Sequence, residues 1–174
     1  MLRCGLALAG VNTWLKQEKA ASLEEFGDGI LNGNDVLALR LQDTKLLILS
    51  ACETALGETK SGEGVKGLRR AFELAGVQSM ICTLWRVRDE SSFVLMREFY
   101  INLLSKNMDI LRALSKAKEF IMNVTSRELY NYYLENGLIE EANELKANTK
   151  IDKADKKRFS HPHYWAGYIV QGKI

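Results

Sequence analysis

Four consecutive large apolar residues, Leu46 to Leu49, constrain this chain more than any other stretch. A run with no polar residue on either side chain face suits a short strand covered on both faces, the environment of a sheet with helices above and below it. Asp43 precedes the run and a glycine-bearing segment from Gly57 to Gly67 follows it. The full sequence Lys45-Leu-Leu-Ile-Leu-Ser-Ala-Cys-Glu-Thr54 therefore carries a buried strand directly to Cys52. In open α/β sheets reactive groups collect beyond the carboxyl ends of the strands, and Cys52 stands at such a position.

The rest of the chain supports an α/β reading. Leu6 to Val11 is a short apolar run with strand character, and the polar stretch from Trp14 to Gly33 reads as a loop or mobile insertion with an exposed tip. Asn34 or Asp35 can cap a short helix through about Arg40, because a short side-chain oxygen accepts bonds from the free amides of the first turn. Ser61 can cap a helix through about Leu74, in which Val65, Leu68, Ala71, Phe72 and Ala75 recur at helical spacing and Gly76 marks the end. Val77 to Leu84 reads as another covered strand. Two helical stripes follow, one from Phe93 to Leu104 and one from Ile110 to Met122. Residues 127–158 are charged and helix-prone, and Tyr164 to Val170 closes the sheet as a final strand.

Several blocks resemble CHAT domains, the caspase-like domains often joined to tetratricopeptide repeats. They are Leu49-Ser-Ala-Cys-Glu-Thr54, Gly62-Glu-Gly-Val-Lys-Gly-Leu-Arg-Arg-Ala-Phe72, Ala75-Gly76, Leu84-Trp-Arg-Val-Arg-Asp89, Leu95-Met96, Phe99-Tyr100 and His161-Pro-His-Tyr-Trp-Ala166, in the family's order. The resemblance runs over nearly all of residues 1–174, treated as one domain, with 127–158 as a helical insertion. It implies a three-layer caspase-like α/β fold with a mostly parallel sheet, related to caspases, gingipains and separase. In those relatives a cysteine after one strand and a histidine after the preceding strand cut peptide bonds. Cys52 matches the cysteine. The family's histidine lies upstream of the segment that Leu6-Ala-Leu-Ala-Gly10 resembles, so the sequence as given is expected to lack that residue and the first strands of the sheet.

The resemblance also marks Asp89, with Trp85, as substrate-binding. The matching aspartate in separase lies in the pocket for the residue before the cut, and a carboxylate there favours Arg or Lys through charge-assisted hydrogen bonds. Read from the residues alone, Asp89 also precedes a helix and can serve as its N-cap, while Arg86 and Arg88 can offset its charge. Cys4 and Cys82 lie within or beside apolar runs and read as packing residues. His161 and His163 fall in a block the family has in addition to its catalytic histidine, so they read as structural, and no metal site is expected. The Gly62–Gly67 run lacks the Gly-Lys-Ser/Thr ending of a phosphate loop, and no cofactor is expected.

Composition narrows the partners. A net charge of +2 with Lys and Arg scattered among Asp and Glu gives no reason to expect nucleic acid. No apolar run approaches the roughly 18 residues of a membrane span. Three cysteines at irregular spacing do not form a disulfide framework, which fits a reducing, cytoplasmic setting. The expected function is the nucleophile-bearing part of a CHAT-type cysteine endopeptidase acting on a protein or peptide, inactive alone, and completed by a missing N-terminal segment or a partner chain. The alternative is a non-catalytic CHAT-like interaction scaffold. An incomplete sheet edge would recruit another chain, so homo-oligomerisation is a further expectation.

Overall fold

In the computed structural model, which describes residues 5–9, 11, 29–49, 63–148 and 155–173, Leu46–Leu49 forms a strand, β3, as its composition demands. Each of its four residues is half-buried rather than fully covered. The next strand, β4 (Ser79–Thr83), is buried at every position. The two strands run parallel, with Leu46 opposite Ser79 and Leu49 opposite Cys82. A third strand, β5 (Tyr168–Gly172), completes the order β3-β4-β5. A separate antiparallel pair joins β1 (Gly5–Ala7) to β2 (Ile30–Asn32). β2 thus lies in a stretch expected to be loop, and its three residues show why: Ile30 and Leu31 give strand character too short to stand out beside polar neighbours.

The chain divides into two compact units, Met1–Arg86 with Ile169–Ile174, and Val87–Tyr168. In the first, α1 (Gly33–Ala38) starts at Asn32, two residues before the earliest expected cap. Asn32 accepts from the amides of Asn34 and Asp35 at 2.8 and 3.3 Å, and Asp35 accepts from the Asn32 amide at 2.9 Å, a reciprocal capping box. The helix ends at Ala38, and Leu39 is already extended.

Helix α2 (Glu63–Leu74) presents the expected face. Leu68, Ala71, Phe72 and Ala75 form one apolar cluster with Met80 and Cys82 of β4, supported by Leu47, Leu49 and Ile169. The helix stops where expected. Gly76 has φ +110, and bonds from Gly76 N to Glu73 O and from Val77 N to Phe72 O close the end as a Schellman motif. A side chain at Gly76 would also meet the Gln42 backbone, with a Cβ 2.8 Å from its nitrogen. Gly172 has the same constraint beside Gln78. The Lys173 amide donates to Gln78 O at 2.7 Å, and Ser79 Oγ donates to Lys173 O at 2.6 Å, so the end of β5 meets the beginning of β4.

The second unit is helical. Helix α3 (Asp89–Tyr100) runs into a π-helical turn, Ile101–Ser105, in which the Lys106 amide reaches back five residues to Ile101 O. The turn buries Asn102, whose amide donates to Ala113 O at 3.4 Å and whose oxygen accepts from Lys106 Nζ at 2.9 Å. Asp109 caps α4 (Ile110–Asn123), which packs against α3. Thr125 and Glu128 form a capping box for α5 (Ser126–Glu135), and Gly137 turns the chain into α6 (Ile139–Asn148), which packs on α5. These two helices occupy most of 127–158. The last strand begins four residues later than the sequence suggests, because Pro162–Tyr164 forms a 3-10 turn.

Candidate functional site

Parallel pairing aligns the carboxyl ends of β3 and β4, since Leu49 lies opposite Cys82. β3 therefore ends, at Leu49, on the side where β4 gives way to Leu84 and Trp85. Cys52 comes three residues after Leu49, and both Cys52 and Cys4 lie outside the described residues. Trp85 is half-buried in the turn after β4. Cys82 is a free thiol in the apolar core, where burial pushes its ionisation up and the Arg69 charge offsets only part of the effect. A thiol held neutral in a core is a packing group, not a nucleophile.

Asp89 sits at the first position of α3 in the helical unit. The N-cap is Arg88, and it makes no side-chain capping bond; instead Ser91 Oγ donates to Arg88 O at 2.9 Å. Asp89 is therefore not the cap. Its exposed carboxylate makes no hydrogen bond or ion pair among the described residues and lines a pocket of about 510 Å³. The opposite wall comes from α6, through Glu141, Glu144 and Leu145, and Tyr133 of α5 lies beneath.

One side of this pocket is fixed by an ion pair. Arg158 donates from Nε and Nη2 to the two carboxylate oxygens of Glu90 at 2.9 and 3.0 Å, and its guanidinium lies 5.7 Å from the Phe159 ring. Both partners are about three-quarters buried, with side-chain exposures of 25% and 29%. A planar bidentate pair of this kind holds geometry as well as charge. Tyr133 is 2% exposed. Burial, then the Glu90 charge, pushes its phenol well above the usual tyrosine range, so it stays protonated.

Sequence reasoning singled out Asp89 but none of Tyr133, Glu141, Glu144 or Arg158. The available signal was weak: Glu141 and Glu144 are three apart, the spacing that puts two side chains on one helix face. A different pocket, of about 560 Å³, carries Lys106 and Lys116, but these are already engaged by Asn102 at 2.9 Å and Glu119 at 2.7 Å. Elsewhere in the unit His161 Nδ1 accepts from the His163 amide at 3.2 Å, a local bond that starts the 3-10 turn. Among the described residues no group of three His, Cys, Asp or Glu side chains is placed to hold a metal ion. No described helix is long and apolar enough to cross a membrane.

Tetratricopeptide repeat protein 28 of Mus musculus is 28% identical over 167 residues, covering 90% of this chain and 5% of that protein. The Homo sapiens protein of the same name is 28% identical over 148 residues, covering 82% of the chain and 4% of its own length. The chain thus spans about a twentieth of these curated relatives. No solved structure matches it. The family model of the CHAT domain matches residues 2–173, and the chain accordingly belongs to the CHAT domain family.

Proposed function

We propose that the chain is the nucleophile-bearing part of a caspase-like cysteine endopeptidase. Cys52 supplies the thiolate and Asp89 receives an Arg or Lys side chain, with Trp85 also contacting substrate. The observation that supports this reading is the parallel register of β3 and β4, whose carboxyl ends share the edge where reactive groups collect in open α/β sheets, with Cys52 three residues beyond Leu49 in the sequence. Membership of the CHAT family, whose caspase-like relatives use a cysteine after a strand, supports the role given to Cys52.

The chemistry sets what else is needed. The sulfur attacks the peptide carbonyl carbon, and the C–N bond breaks as the amine takes a proton. Water then hydrolyses the thioester, releasing the acid and restoring the thiol. A free thiol near neutral pH is only a few per cent ionised, so a base or cation must lower its pKa. Proton transfer by a positioned histidine contributes about 10²–10⁴-fold. A backbone donor to the oxyanion adds about 10²–10³-fold. The two histidines of the sequence are His161 and His163, and the former is engaged in its own turn. The base is therefore assigned to a segment or chain beyond these 174 residues, and the 174-residue chain alone is expected to be inactive.

A second reading, a non-catalytic CHAT scaffold that binds protein, draws on the names of the relatives, which describe repeats and no protease. Sequence immediately upstream separates the two. A strand followed by His-Gly supports the enzyme, and its absence supports the scaffold. The direct assay is turnover of Arg- or Lys-containing peptides by a histidine-completed form, with loss in Cys52→Ala.

A further inference from the structure

We propose that Thr83, the last residue of β4, hydrogen-bonds the main chain of a bound peptide through its hydroxyl. The inference rests on the preceding reading in taking a peptide as the ligand at the carboxyl edge of the sheet, and it gives that peptide a contact the reading leaves out.

Strand β4 carries a hydroxyl residue at each end, Ser79 and Thr83. Side chains alternate along a strand. Met80 and Cys82 pack in the cluster with α2, so Ser79, Ile81 and Thr83 share the opposite face. Ser79 is 3% exposed and Thr83 6%. Two hydroxyls on one face of one strand, similarly buried, can therefore be compared by the end they occupy. At the amino end Ser79 Oγ donates to Lys173 O at 2.6 Å, the Gln78 amide donates to Thr44 O at 3.0 Å, and Gln78 O accepts from the Lys173 amide at 2.7 Å. At the carboxyl end Thr83 Oγ1 is buried and has no hydrogen-bond partner among the described residues.

A hydroxyl in that state is rare, because it has left water without gaining a bond. A valine of the same shape would fold at lower cost. The hydroxyl is accounted for by a partner that arrives with a ligand, and the position of Thr83 says where that ligand lies. Ligands of open α/β sheets bind in the crevice beyond the carboxyl ends of the strands. Thr83 comes one residue after Cys82, which pairs in register with Leu49 at the end of β3. Leu84, next along the chain, is 49% exposed, so the hydroxyl is one residue from solvent. A second buried polar atom without a partner belongs to the same end of the sheet: Nε of Arg69, on α2, whose charge acts on the Cys82 thiol.

A threonine hydroxyl is uncharged and both donates and accepts. That matches a main-chain amide or carbonyl better than a charged side chain. Main-chain bonds of this kind hold an extended peptide in place, while pockets for its side chains set which sequence is preferred.

The test compares Thr83→Val with Thr83→Ser, which keeps the hydroxyl. In the 174-residue chain without ligand, the unfolding temperature of Thr83→Val should rise by about 2–4 °C, because the variant removes a desolvated group that bonds nothing. Binding is read by fluorescence anisotropy of a labelled, end-blocked, Arg-containing hexapeptide on the Cys52→Ala background, so that nothing is cleaved. Affinity should fall about three- to tenfold in Thr83→Val and stay within about twofold in Thr83→Ser. A hydroxyl with a purely structural role would not combine a more stable chain with weaker binding. The proposal is overturned by an unfolding temperature that falls or stays level in Thr83→Val, by a Thr83→Val chain that circular dichroism shows to be unfolded, by equal affinity with and without the hydroxyl, or by no peptide binding at all. Absence of Cys52-dependent cleavage alongside Thr83-dependent binding would sink the cleavage reading alone. Cleavage by a histidine-completed form with an unchanged KM in Thr83→Val would sink this inference alone.

Discussion

Strand β4 and helix α3 both carry large apolar residues, yet β4 is buried at every position, Ser79 and Thr83 included, whereas α3 leaves Phe93 and Tyr100 exposed. A strand has two faces, so an apolar run without alternation must be covered on both. A helix has a full circumference, and apolar residues spread around it cannot all reach one core. The stripe expected from Phe93 to Leu104 in fact splits. Leu95 and Phe99 turn inward with Val94, while Phe93, Tyr100 and Leu104 remain outside. The buried set builds the unit, and the exposed set lines a surface groove.

This contrast can be broken most sharply at Ile81, which is 0% exposed in β4. Ile81→Ala should cost about 2–5 kcal/mol, the usual penalty for an unfilled core site. Urea unfolding measures it, and a cost below about 1 kcal/mol would mean that β4 is less enclosed than described.

In the helical unit the largest expected loss is at the ion pair. Arg158→Ala should cost about 1–3 kcal/mol, because it strands the partly buried Glu90 and removes the contact with Phe159. The companion variant Glu90→Gln should weaken the unit less, since an amide can still accept from the guanidinium. Equal losses in both would argue that packing, not charge, holds 158 in place.

Acid should loosen the α5 cap next. Hydrogen bonds from Thr125 hold the Glu128 carboxyl below the usual glutamate range, and the Arg127 hydrogen bond does the same for Asp155. A depressed carboxyl pKa gives stability that is present above the unfolded value and is lost as pH falls through the folded one. Thermal unfolding between about pH 6 and 2.5 should therefore show a decline below the ordinary carboxylate range that is shallower in Glu128→Ala. An identical decline in both proteins would remove Glu128 from the account. The smallest effect is expected at Leu104→Ser, within about 0.5 kcal/mol of no change despite the loss of a large apolar side chain.

The sequence was most readable where one residue type has one physical use. Gly76 ends α2 because a positive φ and the nearby Gln42 backbone both exclude a side chain. Leu68, Ala71 and Phe72 lie on the face their spacing specified. Caps were less readable, since Asn32, Asn34 and Asp35 are all competent and only the backbone between Asn32 and Asp35 decides among them. The acidic pocket was least readable of all. Asp89 and Glu141 are far apart in sequence, and nothing local announces that α6 will supply the second wall. Cys52 itself was singled out from its strand and its neighbours, and it lies outside the described residues.

The central claim is that Cys52 is one half of a peptide-cleaving pair whose histidine lies beyond this chain. It is tested by assaying cleavage of Arg- and Lys-containing peptides with the 174-residue chain alone and with a form completed by an upstream histidine-bearing segment. The account predicts no turnover from the first, turnover from the second, and its loss in Cys52→Ala. Turnover by the chain alone that Cys52→Ala abolishes, or cleavage by the completed form that survives Cys52→Ala, would contradict it.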